Sequence, residues 1–440
     1  MRCVICDATD KWKNVDQYRL APADMCMCEG CGFVSYPKRH ASEADIKDYY
    51  KLDYRPAPNV NNAHTGQRKL NIHAHFLAKT FEMWKQQKRE KIVVSEIGAA
   101  YGMFLDWVRS VFPEAELNGT EYALAYRRNA FHEYGIRLDV DFDKSKKYDL
   151  ISSFKVAEHQ MDVDLRLREY VECLKDDGFL YISVPTWFGR MTNFGREGFD
   201  LEYYYHKDHI NVWTENLFET LLTKVGLKVI SKDKWMYDET YLCVRDDKVM
   251  ELPQVYEDPK SVEKRLDSIK KAYMLYMENR LDEAVNVYPN FPTAWMTRYE
   301  KHRALAHKHG QAEEPFDYAW KNYVAPAIKS CQYSLDVNRL ATDVYMRYDR
   351  FEAAIELINK MLEVRPNNPA FVMSMSHCLR QIGLRTKNAA LRKKFLTEAR
   401  DCCRYLRGVD LQSKAEATNW IYQDNALLQT PFEEVEHAKS

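Results

Sequence analysis

Residues 93–102, VVSEIGAAYG, restrict the possible fold more than any other stretch of the chain. Apolar and small residues lead through Glu96 and Ile97 into Gly98 and Gly102, and MFLDWVRSVF follows at once. The pattern predicts a buried strand, a tight glycine turn and a helix. In a doubly wound α/β fold, the first such crossover makes a nucleotide site. Glycine lets the backbone approach the ligand, and the helix N-terminus offers free N–H groups.

The segments that follow extend the same architecture. AELNGTEYA reads as a second strand ending at Glu121, 19 residues beyond Gly102. A carboxylate at that tip can accept both hydroxyls of a ribose. LAYRRNAFHEYG reads as a helix and IRLDVDF as a short third strand. KYDLISSFKVAEH reads as a fourth strand, with Glu158 and His159 just past its end. A helix around LRLREYVECLKDDG leads to a fifth strand, FLYISVP, closed by Pro185. Strands alternating with helices imply a mostly parallel sheet, which binds ligands at its carboxyl edge. Glu96, Gly98, Glu121, Asp141, Glu158 and His159 are expected near that edge.

Five of the 11 cysteines lie within the first 31 residues. Cys3-x2-Cys6 and Cys28-x2-Cys31 are two CxxC pairs with 21 residues between them. Each pair can turn two sulfurs toward one ion, and the two together close a tetrahedral thiolate site suited to structural zinc. Cys26 is left out, because CxC makes a poorer turn. The start, MRCVICDATD, has no apolar signal core, so a cytoplasmic, reducing location is expected. No apolar run approaches the ~18 residues of a membrane span. With 64 Lys+Arg against 65 Asp+Glu, no net field favours nucleic acid.

Four ordered segments, EIGAAYG, NGTEYA, YDLISSFKVAEH and LKDDGFLYISVP, resemble those of class I S-adenosylmethionine-dependent methyltransferases. With the CxxC pairs in front, residues 1–245 resemble the branch that carries an N-terminal zinc segment and includes sugar C-methyltransferases. The resemblance implies a Rossmann-like fold and S-adenosylmethionine as cofactor. Gly98, Ala100 and Gly102 would lie against its methionine part and Glu96 would orient the amino group. Glu121 would hold the ribose, Asp141 or its rival Asp143 two residues on would reach the adenine, and Phe154 and Lys155 would flank the cofactor. Ala100 replaces the usual middle glycine, and is expected to be tolerated with a negative φ.

Relatives in that branch carry a Tyr-His-Glu-His run before an aromatic strand. The corresponding stretch here is His206-Lys207-Asp208-His209. The resemblance implies that His209 and Asp208 form a base or orienting pair, with His206 and Tyr205 facing the same pocket. Tyr50 and Tyr54, in the segment between ribbon and main domain, are candidate lining residues with Glu158 and His159. This chain departs from those relatives at MYDETYLCVR, where they carry a His-Gly-Gly-Ser run.

Beyond the linker ELPQVYEDPK the pattern turns helical, with a 35-residue period. Arg280–Val285, Pro315–Trp320 and Arg350–Ile355 share a large apolar residue, an acid and a spaced alanine. RFEAAIELINKMLEVRPNNP resembles a tetratricopeptide repeat, a unit that stacks to bury its faces. The expected domains are 1–40 (zinc ribbon), 41–92 (bridge or lid), 93–250 (α/β methyltransferase domain) and 251–440 (all-α repeat domain). The expected function is methyl transfer to a C or O atom of a small polar, sugar-like substrate. Two alternatives are methylation of a protein or peptide gripped by the repeats, and a scaffold with a silent methyltransferase domain. The helices are expected to bind a protein partner, the substrate or a second copy.

Overall fold

A computed structural model describes residues 2–18, 24–36, 42–52, 76–89, 91–186, 209–233, 238–308, 315–331, 335–364 and 369–409. The chain divides into two compact units, Met1–Ala294 and Trp295–Ser440. Helices Pro259–Met277 and Leu281–Val287, which the sequence places with the repeats, fall in the first unit.

The first unit is built on a six-stranded sheet. Its strands are β4 (Val93–Ile97), β5 (Glu116–Thr120), β6 (Tyr148–Phe154), β7 (Leu174–Pro185), β9 (Leu227–Asp233) and β10 (Asp238–Arg245), in the order β5-β4-β6-β7-β10-β9. Pairs β4–β5, β4–β6 and β6–β7 are parallel, and β10 runs antiparallel between β7 and β9. The expected third strand is reduced to one parallel bridge, Thr120 to Asp139. The order reverses between β4 and β6, so the carboxyl ends of those strands open on the switch-point crevice.

Both faces of the sheet are covered. On one, Leu105, Val108 and Ala130 pack with Trp84, whose ring lies 5.7 Å from Phe179 of β7. On the other, Leu167, Leu217 and Leu221 pack with Val4, Ile5 and Phe33 from the N-terminal segment. Strands covered on both sides are buried along most of their length, as β6 is and as β7 is from Gly178 to Pro185.

The N-terminal segment forms β1 (Trp12–Asn14), β2 (Cys26–Cys28) and β3 (Val34–Ser35). The fourth strand of this small sheet is β8 (Asn211–Val212), about 175 residues further along, paired antiparallel to β3. Phe33 stacks on Trp213 at 5.0 Å. Arg2 grips buried Asp164 through two 2.7 Å hydrogen bonds, and Lys224 donates to the Val4 carbonyl at 2.9 Å. Helix Pro259–Met277 packs against the segment as well. Lys13 pairs with Glu263 at 2.7 Å, and the Glu257 N–H donates to the Cys31 carbonyl at 3.1 Å.

The second unit is helical among its described residues. Helices begin at Leu281, Phe316 and Phe351, 35 residues apart, the first of them lying in the first unit. The helix from Phe316 widens to a π-turn at Trp320–Val324. Pro326 explains it: proline cannot donate to the Asn322 carbonyl and its ring crowds that position. Arg298 takes that carbonyl at 2.8 Å.

Candidate functional site

The glycine turn follows β4. Gly98 has φ +68° and Gly102 +73°, both in the left-handed region that glycine tolerates. A Cβ on Gly98 would lie 2.6 Å from Cγ2 of Val156, so the turn presses directly on the exit of β6. Gly102 begins helix Met103–Val111. Ala100 also has a positive φ, +47°, contrary to the expected negative value. The turn needs a left-handed residue there, because its neighbours on both sides are held. The Ala99 N–H donates to the Thr120 carbonyl at 2.8 Å and the Gly102 N–H to the Ala99 carbonyl at 2.8 Å. The alanine accepts about 1 kcal/mol of strain.

Glu121 follows β5 directly. Its carboxylate accepts from the Ala100 N–H at 3.0 Å and the Ala123 N–H at 2.8 Å. It therefore pins the turn and satisfies a donor at the start of helix Leu124–Tyr134. Each oxygen keeps a second lone pair for a ribose hydroxyl. Burial pushes its pKa up. Glu96, on β4, is 4% exposed, and its Oε2 has no hydrogen-bond partner. Burial first, and the Glu121 charge second, raise its pKa well above the ordinary value. An ammonium group would satisfy this oxygen and compensate the charge.

The remaining expected cofactor residues are placed as follows. Asp141 is exposed and pairs with Lys47 at 2.7 Å; that lysine also lies 5.5 Å from the Tyr122 ring centre. Helix Glu43–Leu52, which carries Lys47 and Tyr50, is thus bound beside Glu121. Phe154 turns its ring edge-on to Phe104 and Tyr181, at 5.1 Å from each. Lys155 leaves β6 with φ +59°, its N–H held by the Ser183 carbonyl at 2.9 Å. Strained backbone in a non-glycine residue tends to gather at functional sites.

Glu158, His159 and His209 come together at this edge. Glu158 is 1% exposed. Its Oε1 stands 3.8 Å from Nε2 of His159 and 3.9 Å from Nε2 of His209, and the two rings meet edge to face at 4.8 Å. The backbone fixes this meeting. The Ile210 N–H donates to the Glu158 carbonyl at 2.8 Å, and Asn211 Nδ2 donates to the carbonyls of Ala157 at 3.1 Å and Gln160 at 2.7 Å. The other side of Ile210 is held by the ribbon: its carbonyl accepts from the Tyr36 N–H at 2.8 Å and Ser35 Oγ at 2.9 Å. Sequence reasoning missed Asn211. Its signal is its place two residues after His209, at the start of β8. Tyr54, Tyr205, His206 and Asp208 lie outside the described residues.

The four cysteines also converge. Cys3 and Cys31 sulfurs are 3.6 Å apart, as are those of Cys6 and Cys28, and all four lie within 4.8 Å of one another. Four thiolates around zinc at ~2.3 Å stand about 3.8 Å apart, so the set fits that ion. Gly30 passes the sulfurs closely, since a Cβ there would sit 3.2 Å from Cys6 Sγ. Cys26 points away, donating to the Asp24 carbonyl at 3.6 Å.

Comparison with known proteins finds one family match and several similar structures. Residues 66–232 match the Methyltransf_23 family model, a methyltransferase domain. No curated protein matches the chain. Among solved structures, an S-adenosylmethionine-dependent methyltransferase from Clostridium acetobutylicum is similar at 14% identity. The match covers 43% of this chain and 100% of that one, with a TM-score of 0.32. A complex of the Haloferax volcanii Trm112 methyltransferase activator with a methyltransferase is similar at 16% identity, covering 46% and 98%, with a TM-score of 0.33. The plantazolicin methyltransferase BpumL, bound to S-adenosylhomocysteine, is similar at 13% identity, covering 48% and 93%, with a TM-score of 0.34. The family match thus lays a methyltransferase domain over residues 66–232, most of the six-stranded sheet.

Proposed function

We propose that the protein transfers the methyl group of S-adenosylmethionine to a carbon or oxygen atom of a small, polar, sugar-like acceptor. The observation that carries this reading is the convergence of Glu158, His159 and His209 on the exit of β6, which Val156 joins to the glycine turn. Gly98, Ala100 and Gly102 form the cradle for the methionine part, Glu96 takes its ammonium and Glu121 holds the ribose. Asp141 serves the adenine end once Lys47 yields it. The bound sulfonium supplies an electrophilic methyl, so the protein must mainly align the acceptor and handle its proton. Imidazoles beside a carboxylate suit that task near neutral pH. His209 carries the central role, and we include Tyr205, His206 and Asp208, which precede it in sequence, in the same pocket.

The ribbon holds structural zinc through Cys3, Cys6, Cys28 and Cys31. Through the pairing of β3 with β8 it fixes the height of His209 in the crevice. We read the helices of the second unit as a tetratricopeptide-like surface for a protein partner or a second copy. The test of acceptor class is transfer of labelled methyl from S-adenosylmethionine to a panel of nucleotide sugars, free glycans and peptides. Label on a sugar supports the reading; label on peptides alone overturns it.

A further inference from the structure

We propose that Glu158, His159 and His209 bind a divalent transition-metal cation, which receives the acceptor as a pair of neighbouring hydroxyl oxygens. The role assigned to the cation rests on the methyltransferase reading; the site itself rests on geometry.

Both histidines direct Nε2 at the same carboxylate oxygen, at 3.8 and 3.9 Å. These separations are too long for a direct hydrogen bond. The three donor atoms lie within 4.8 Å of one another. Ligands held at about 2.1 Å from one cation stand roughly 3.0–3.4 Å apart, so modest side-chain rotations bring the set onto an ion. Two imidazoles and one carboxylate suit a first-row divalent cation and leave coordination positions open.

The site is built in advance. Glu158 is almost wholly buried, and the two strands of chain that carry the donors are locked by the Ile210 and Asn211 hydrogen bonds. Charge points the same way. One carboxylate against a divalent cation leaves a net positive charge, which an acceptor alkoxide would neutralise. A cation with three protein ligands can take two further oxygen ligands, and a vicinal diol, the chemistry of a sugar, offers two. With both imidazoles taken up as ligands, the cation replaces them in activating the acceptor, and one acceptor hydroxyl on it gives its proton to solvent. Its oxygen then bonds to the methyl carbon as the carbon–sulfur bond breaks, and the electron pair stays on sulfur, leaving S-adenosylhomocysteine.

The test uses the full chain with its ribbon zinc in place and saturating S-adenosylhomocysteine. Mn2+, Co2+ and Zn2+ are titrated in turn by calorimetry, with electron paramagnetic resonance for Mn2+. At least one cation should bind at one further site per chain, and its affinity should fall at least about tenfold in Glu158→Gln and in His159→Asn. Cofactor-product affinity in each variant reports folding independently. If the wild type binds S-adenosylhomocysteine but no further cation, or both variants bind it equally well, the cation site is overturned and the histidines act without metal. If S-adenosylhomocysteine itself does not bind, the methyltransferase reading falls instead.

Discussion

Two side chains in the proposed cofactor cleft, Ala100 and Glu96, each carry a penalty in the free protein. Ala100 sits at φ +47°, where an alanine is strained and a glycine is not. Ala100→Gly should therefore raise stability by about 1 kcal/mol in urea unfolding, with no loss of cofactor affinity. Glu96 carries the other penalty, a buried carboxyl whose pKa is raised by burial and by Glu121. Raised means that the free protein keeps the proton at pH values above the ordinary 4.5. An ammonium ligand needs the carboxylate, so binding releases a proton and affinity rises with pH across that window. Calorimetry of S-adenosylhomocysteine in buffers of different ionisation enthalpy should show proton release, and Glu96→Gln should abolish it. Glycine spacing made the strand, turn and helix legible in sequence, and with them the place of Glu121 after β5. The sign of φ at Ala100 was not, because it depends on the hydrogen bond that Ala99 donates to the Thr120 carbonyl, a residue brought near only when β5 pairs with β4.

At the level of elements, the N-terminal segment and the chain after β7 form one sheet. β3 pairs with β8, and Ile210 is bonded on one side to Glu158 and on the other to Tyr36 and Ser35. The cysteine turn that ends at Cys31 leads straight into this pairing. On the proposal that the thiol cluster holds zinc, a chelator should therefore speed amide exchange at Tyr36 and Ile210, and lower methyl transfer, before the six-stranded sheet opens. Unchanged exchange at Ile210 after full zinc loss would remove the link between ribbon and His209. The CxxC spacing revealed the thiol cluster. Nothing local revealed where it docks: a two-residue strand has too short a pattern to read, and its partner is contributed by ribbon residues some 175 positions earlier. The third strand failed for a related reason, since IRLDVDF alternates well yet meets β5 at a single bridge.

Across the whole molecule, the division at Ala294 separates two units, and the first includes two helices beyond the linker. Lys13 with Glu263, Lys270 with the Gln17 carbonyl, and Glu257 with the Cys31 carbonyl tie helix Pro259–Met277 to the ribbon. A fragment of residues 1–294 should fold and bind S-adenosylhomocysteine like the full chain. A fragment of residues 1–250 should melt several degrees lower, because Gly32 and Cys31 lose the surface that covers them. The helical character of residues beyond 251 was legible from periodicity. The place of the first helix was not, because its amphipathic face fits a ribbon as well as it fits another helix.

The central claim is that Gly98 to Gly102, with Glu96 and Glu121, form the cradle of a methyl donor. Isothermal titration of the full chain with S-adenosylhomocysteine tests it most directly, alongside Gly98→Ala, whose added Cβ meets Val156 at 2.6 Å. One molecule should bind per wild-type chain, and the variant should bind at least about tenfold more weakly, about 1.4 kcal/mol. No binding to the wild type, or equal binding to both, would contradict the account.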